Sequence, residues 1–286
     1  MRSTLFPKFV MAGHVKTRYI DLGVEAPIVI GLHGGGPGVS GQSVMGPIAQ
    51  CLQKDCRFLA PDQVGGFGFT DPGAPTPYGS QSRVDHLADF ADTLCLDKVH
   101  LVGNSQGAWV AARYAIQRPD RVKSLILIAS GTVGKSMGLE VPVLPGLAAL
   151  QAFDGTREAM HRISLALVHN KATVSDEQID ERFASATRPG AAEAMRRFAI
   201  GQSYLEQDTA MRGNFDMRET LPALTKSIPT LVLWGESDQV ASIEVGRQLE
   251  KLLPNVRFVY IPDVGHHMHV EKPDLVAQYI REHMAA

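Results

Sequence analysis

Gly103-Asn104-Ser105-Gln106-Gly107 is the segment from which the rest of this chain can be interpreted. It follows an apolar run, Lys98-Val99-His100-Leu101-Val102. It precedes a helical run, Ala108-Trp109-Val110-Ala111-Ala112-Arg113-Tyr114-Ala115. Strand, sharp turn and helix in that order hold a serine on a strained turn with its Oγ exposed. A turn this tight brings the helix backbone against the strand, and glycine, without a Cβ, is the residue that fits there. A bare serine between glycines can also be a helix N-cap. The strand before it and the helix after it favour a nucleophile.

The surrounding 286 residues suit one large α/β domain with a substantial insertion. Hydrophobic residues make up 44% and charged residues 20%, an ordinary globular balance able to fill a large core. A net charge of −2 gives no support for nucleic-acid or anionic-membrane binding. No apolar stretch approaches the roughly 20 residues that span a bilayer. Residues 1–10 lack a long apolar segment followed by a small-residue cleavage site, so no signal peptide is expected. Cys51, Cys56 and Cys95 form an odd, sparse set without metal spacing, which suggests reduced thiols and a cytoplasmic protein.

Working outward from the serine, the first third alternates strands and helices. Residues 15–20, 27–32, 57–60, 98–102 and 122–130 read as strands, and 47–52 and 83–96 as helices. Near-continuous apolar strands in β-α repeats imply a mostly parallel central sheet with helices on both faces. From 133 to 215 the pattern turns helical, with helices expected at 157–169, 175–186 and 190–206. The α/β rhythm then returns, with strands at 229–234 and 256–261 and helices at 242–253 and 273–284. The expected organisation is a core of residues 1–132 and 216–286 carrying a helical cap of residues 133–215.

A serine nucleophile needs a base, an orienting acid and oxyanion donors. Asp238, in Trp234-Gly235-Glu236-Ser237-Asp238 just after a buried strand, is the acid candidate, with Glu236 its rival. His266, in the loop after the last strand, is the base candidate, with His267 and His269 as rivals. The order Ser105, Asp238, His266 is the one this nucleophile turn usually takes. His266-His267-x-His269 also resembles a ligand cluster. Adjacent histidines diverge on an extended chain and no matched distal ligands appear, so no metal is expected. Oxyanion donors are expected from the backbone N–H of Gln106 and from Gly35 and Gly36 in His33-Gly34-Gly35-Gly36-Pro37-Gly38. A phosphate loop is the alternative for those glycines, but no Lys-Ser/Thr follows and Pro37 opposes a dinucleotide-type helix start.

Together the glycine loop, the serine turn, Trp234 to Asp238, and Gly265-His266 through Glu271-Lys272-Pro273 resemble the α/β-hydrolase superfamily over nearly the whole chain. Within it, the chain is similar to carbon–carbon bond hydrolases of aromatic meta-cleavage pathways. Those enzymes act on 2-hydroxy-6-oxohexa-2,4-dienoates, releasing a 2-hydroxypentadienoate and a carboxylic acid. The Gly34-Gly35-Gly36-Pro37-Gly38 form, Asn104, Lys8-Phe9 with Thr17-Arg18-Tyr19, and Asp180-Glu181-Arg182-Phe183 carry that resemblance. It implies that Arg182 binds the substrate carboxylate, with Arg188, Arg196 and Arg197 as alternatives, and that Asn104 contacts the oxo region. Either Ser105 or a water activated by His266 attacks the C6 ketone.

The chain departs from that pattern at His267, where tryptophan is usual, at Val44 for asparagine, and at Gln106 for methionine. Asp62-Gln63-Val64-Gly65-Gly66-Phe67-Gly68 has one glycine more than usual. The triad is untouched, but a more polar substrate, or an esterase or lactonase activity, fits these changes. A non-catalytic binding protein on the same fold is a further alternative. The small-molecule substrate is expected between cap and core. No cofactor, nucleic-acid or membrane partner is implied, and the resemblance favours a homodimer or larger homo-oligomer.

Overall fold

The computed structural model describes residues 6–286. The amino-terminal reading therefore lies partly outside the described residues. Strands β1 (Lys8–Ala12) and β2 (Val15–Gly23) form a hairpin, followed by β3 (Ile28–Leu32), α1 (Gly41–Leu52), β4 (Arg57–Pro61), α2 (Ser80–Thr93), β5 (Val99–Asn104), α3 (Gln106–Gln117) and β6 (Val122–Ile128). Seven helices come next: α4 (Gly131–Ser136), α5 (Pro145–Gln151), α6 (Arg157–Ala166), α7 (Asp176–Thr187), α8 (Ala191–Gln207), α9 (Arg212–Phe215) and α10 (Thr220–Leu224). The chain closes with β7 (Thr230–Gly235), α11 (Ile243–Leu252), β8 (Arg257–Ile261), α12 (Met268–Glu271) and α13 (Pro273–Ala285).

One eight-stranded sheet runs β1-β2-β4-β3-β5-β6-β7-β8. The β1–β2 and β2–β4 pairs are antiparallel and the others parallel. Each central strand feeds two cores, because successive side chains point to opposite faces. Leu125 and Leu127 join the core under α2, α3 and α11, while Ile126 and Ile128 join the one under α1 and α13. That is why these strands read as continuous apolar runs rather than alternating ones. The chain passes from β3 to β4 on one side, then crosses to β5 on the other. The carboxyl ends of β3 and β5 thus form the switch point at which open parallel sheets bind ligands.

Several boundaries differ from the sequence reading, each for a local reason. Helix α1 begins at Gly41, because Ser40 and Ser43 close a reciprocal cap and Gly41 N donates to buried Asp62 at 2.7 Å. Pro47 lies inside that helix rather than opening it. Helix α2 starts at Ser80 and ends at Thr93, and Cys95, with φ 53°, takes the chain out of helix. Strand β6 stops at Ile128, and Ser130 caps α4 by accepting from Val133 N at 3.1 Å.

Between β6 and β7 the chain is helical, and α6, α7 and α8 lie within a few residues of the expected spans. Helix α7 starts at a reciprocal Ser175–Gln178 cap with Asp176 and Glu177 in its first turn, where carboxylates suit the helix dipole. Hydrogen bonds tie this stretch to loops that follow the strands. Arg182 Nε donates to Pro37 O at 2.8 Å, Arg188 Nε to Gly68 O at 2.7 Å, Gly146 N to Gln239 O at 2.8 Å and His267 N to Leu167 O at 2.9 Å. The helices accordingly lie over the carboxyl end of the sheet.

Candidate active site

Ser105 occupies the turn between β5 and α3 with φ 55° and ψ −121°, a backbone conformation costly for a non-glycine residue. Neighbours pin it there. Ser105 N donates to Ile128 O at 2.8 Å, and Ser130 Oγ donates to Ser105 O at 2.6 Å. A Cβ on Gly107 would overlap the carbonyl oxygen of Leu32, and one on Gly103 would lie 2.6 Å from the Ala108 backbone. Helix and strand therefore approach only because both positions lack a side chain. The Ser105 side chain is half-buried, and its hydroxyl has no hydrogen-bond partner among the described residues.

His266 and Asp238 meet in the interior, with Nδ1 2.8 Å from Oδ2. The residues are 2% and 4% exposed, so water competes little for this contact. The second Asp238 oxygen accepts from Val240 N at 2.7 Å and Ala241 N at 2.9 Å. A carboxylate held by three donors presents only acceptors to the ring. The proton then sits on Nδ1, and Nε2 keeps its lone pair. Asn104 Nδ2 reaches His266 O at 3.5 Å and Ile128 O at 3.4 Å, which brings the histidine loop to the serine turn.

The rivals are placed elsewhere. Glu236 is exposed. His269 is fully buried, neither ring nitrogen has a partner among the described residues, and burial lowers its pKa to about 3. His267 stacks near His266, with ring centroids 5.9 Å apart, and burial, then His269 and Arg182, push its pKa well below the usual histidine range. Both rings are neutral at neutral pH. Among the described residues no group of three or more His, Cys, Asp or Glu is placed to hold a metal ion.

The glycine loop lies against the serine turn. A Cβ on Gly34 would stand 3.0 Å from Ser105 Cβ, and the Gln106 side chain covers Gly35. Gly36 has φ +130°, with Arg182 Nη2 3.3 Å from where its Cβ would be. Arg182 is 7% exposed rather than lying on a solvated helix face, and burial lowers its pKa to about 10, so it remains charged at neutral pH. Its Nε is committed to Pro37 O, while Nη1 and Nη2 have no hydrogen-bond partner among the described residues. A planar fork with two free donors suits a carboxylate. Arg196 pairs with exposed Glu193, while Arg188 and Arg197 bind the carbonyls of Gly68, Thr70 and Pro72.

Two cavities flank this loop. One, of about 460 Å³, is lined by Val44, Arg182 and His267 among others. The second, of about 380 Å³, is lined by Gly36, Gln106, Phe153 and Phe198 among others. Both lie in the size range of small-molecule sites. Among the apolar residues of this helical stretch, Phe153 lines the second cavity and shares an apolar cluster with Leu147, whereas Leu139 and Val141 pack on the core and Val143 is exposed.

Arg83 was not among the expected site residues. It is fully buried against the perpendicular rings of Phe67 and Phe198, with its guanidinium 4.0 and 4.5 Å from their ring centroids. Its Nη1 donates to Gln106 Oε1 at 3.3 Å and to Gly34 O at 3.5 Å. The available signal was its spacing, since Arg83 shares a helical stripe with Leu87, Phe90 and Ala91.

The profile of the α/β-hydrolase fold family matches residues 27–273. A 2-hydroxy-6-oxo-2,4-heptadienoate hydrolase of Pseudomonas putida is 31% identical, with 98% of this chain and 96% of that protein covered. A 2-hydroxymuconate semialdehyde hydrolase of a Pseudomonas species is 27% identical, with 96% and 93% covered. Among solved structures, a meta-cleavage product hydrolase of Pseudomonas fluorescens superposes with a TM-score of 0.79 at 28% identity, over 97% of both chains.

Proposed function

The chain belongs to the α/β-hydrolase fold family, and from that premise we propose that it hydrolyses a carbon–carbon bond in a 2-hydroxy-6-oxohexa-2,4-dienoate. Ser105 is the nucleophile, His266 the base and Asp238 the acid that orients it. The observation that carries this reading is the buried His266–Asp238 pair beside a strained serine turn at the carboxyl ends of β3 and β5. The substrate class is supported by the names of the relatives and by the free fork of Arg182 beside the glycine loop.

In this reading the substrate carboxylate pairs with Arg182, and Asn104 contacts the oxo region. The 6-substituent enters the cavity lined by Gln106 and Phe153. The dienol ketonises first, losing the hydroxyl proton and gaining one at C5. Ser105 Oγ then adds to C6 as His266 Nε2 takes its proton. The oxygen of C6 becomes an oxyanion facing the backbone N–H of Gln106 and of Gly35 or Gly36. The C5–C6 bond breaks, its electron pair is delocalised onto the 2-oxo group, and a proton completes the 2-hydroxypentadienoate. Water, deprotonated by His266, releases the acyl group as a carboxylic acid. In the alternative route His266 deprotonates a water that adds to C6 directly, with the same net consumption of one water. Asp238 holds the ring orientation and stabilises the imidazolium in both.

We further take residues 133–215 as a cap on a core of residues 1–132 and 216–286. The protein needs no cofactor in this reading and acts as a homodimer or larger homo-oligomer, which light scattering on the purified protein measures. The test of function is a panel of dienoates with different 6-substituents, followed by loss of the yellow dienolate absorbance beside a p-nitrophenyl ester. Rapid bleaching with slow ester turnover is the expected result. Fast ester hydrolysis without bleaching moves the protein to the esterases and lactonases.

A further inference from the structure

Arg83 is a buried cation without an anionic partner among the described residues. Its guanidinium sits in the corner of two perpendicular rings, Phe67 and Phe198, and among the described residues Nε and Nη2 have no hydrogen-bond partner. The titratable groups that feel its charge, His33 and His86, are buried and neutral. Its two hydrogen bonds go to neutral oxygens, Gly34 O and Gln106 Oε1. An uncompensated charge in a low-dielectric interior favours negative charge nearby far more than it does in water.

Arg83 also settles which way Gln106 points. Arginine only donates, so the amide oxygen must face it. The other end of the amide, Nε2, has no hydrogen-bond partner among the described residues, and Gln106 lines the second cavity with Gly36, Leu150, Phe153 and Phe198. The walls there are otherwise mostly apolar. A fixed N–H donor backed by a buried cation is a recognition element, since a group lacking an acceptor would leave that donor unpaired.

We infer that Arg83 and Gln106 make this cavity selective for a substrate whose 6-substituent ends in an oxygen acceptor, a carboxylate above all. The inference rests on the reading of this chain as a dienoate hydrolase and narrows its substrate class. Gln106 touches the substituent, and Arg83 is a positioning residue that acts through it. The field of Arg83 strengthens the preference for an anion.

The test uses two dienoates of matched size, one with a 6-propyl and one with a 6-(2-carboxyethyl) group. The ratio of their kcat/KM values is measured for the wild-type protein, and their Kd values on the Ser105→Ala protein. The carboxyethyl substrate is preferred by about tenfold or more, as a charge-assisted hydrogen bond supplies. Gln106→Met brings the ratio near unity, mainly through KM. Gln106→Glu pairs with Arg83, removes the donor and inverts the preference. Arg83→Met lowers the ratio and Arg83→Lys restores part of it, whereas a merely structural arginine lowers both substrates equally. If Arg83→Met fails to fold, the Gln106 variants carry the test alone. Brisk turnover of both substrates with an unchanged ratio overturns the inference and leaves the hydrolase reading standing. Selective, Gln106-dependent binding without turnover keeps the inference and overturns that reading.

Discussion

At the scale of single residues, the site depends on contacts that tolerate little change. Asp238 spends one oxygen on His266 and the other on two backbone N–H groups, and in the proposed mechanism it orients the ring. Asp238→Asn keeps the shape but turns a donor toward Nδ1 and favours the wrong tautomer. We expect kcat on a dienoate to fall by about 10⁴-fold with KM little changed. Steady-state kinetics measures this, and a kcat within tenfold of wild type would remove Asp238 from the mechanism. The serine turn was legible in the sequence because its glycines have a steric cause, seen at Gly107 against Leu32. Arg83 was not. An arginine on an apolar stripe reads as an outward-facing residue until the aromatic corner formed by Phe67 and the distant Phe198 is in view.

At the scale of elements, α7 bears Arg182 and is itself well specified, with a reciprocal cap and acidic first turn. Its placement is enforced by Gly38, where a Cβ would overlap the Arg182 carbonyl, and by the Nε bond to Pro37 O. In the proposed reading, Arg182→Gln removes a bidentate partner for the substrate carboxylate. KM for a dienoate rises by about 10- to 100-fold with a smaller loss in kcat, because the contact is made in ground and transition states alike. An unchanged KM would place the carboxylate elsewhere. Parallel strands and long amphipathic helices were readable because burial on two faces and the helical period both mark the sequence. Short helices such as α4, α5, α9 and α10 were not, since one or two turns leave too few apolar repeats to detect. The start of α1 was hidden for a related reason, as its cap is a serine pair followed by glycine and a mid-helix proline.

For the whole molecule, buried histidines set the response to acid. His33, His86, His100, His267, His269 and His283 all have lowered pKa values, chiefly through burial, with His33 and His269 at about 3 and His86 and His100 at about 4. In the unfolded chain each titrates near 6.5, so from about pH 6.5 down to about 3 the unfolded state binds more protons. Their stabilising contribution is complete above that window and is lost as pH falls through it, at up to about 1.4 kcal/mol per pH unit for each group. Asp62 and Glu181, with raised values, work in the opposite sense but are outnumbered. The urea midpoint is therefore lower at pH 5.0 than at pH 7.5, and an equal or higher midpoint at pH 5.0 would refute this. The fold class was legible because β-α repeats with near-continuous apolar strands mark a mostly parallel sheet covered on both faces. The hairpin β1–β2 at its edge was only half seen, because β1 is short and carries exposed Phe9 and Met11.

In the proposed reading Ser105, served by His266 and Asp238, cleaves a dienoate. The most direct measurement mixes 2-hydroxy-6-oxohepta-2,4-dienoate with wild-type and Ser105→Ala protein in a stopped-flow spectrometer and follows the dienolate band through a single turnover. The wild type should bleach the band rapidly, with 2-hydroxypentadienoate and acetate as products. Ser105→Ala should bind the substrate, shift its spectrum and leave it uncleaved. Bleaching by Ser105→Ala at the wild-type rate, or none by either protein, would contradict that reading.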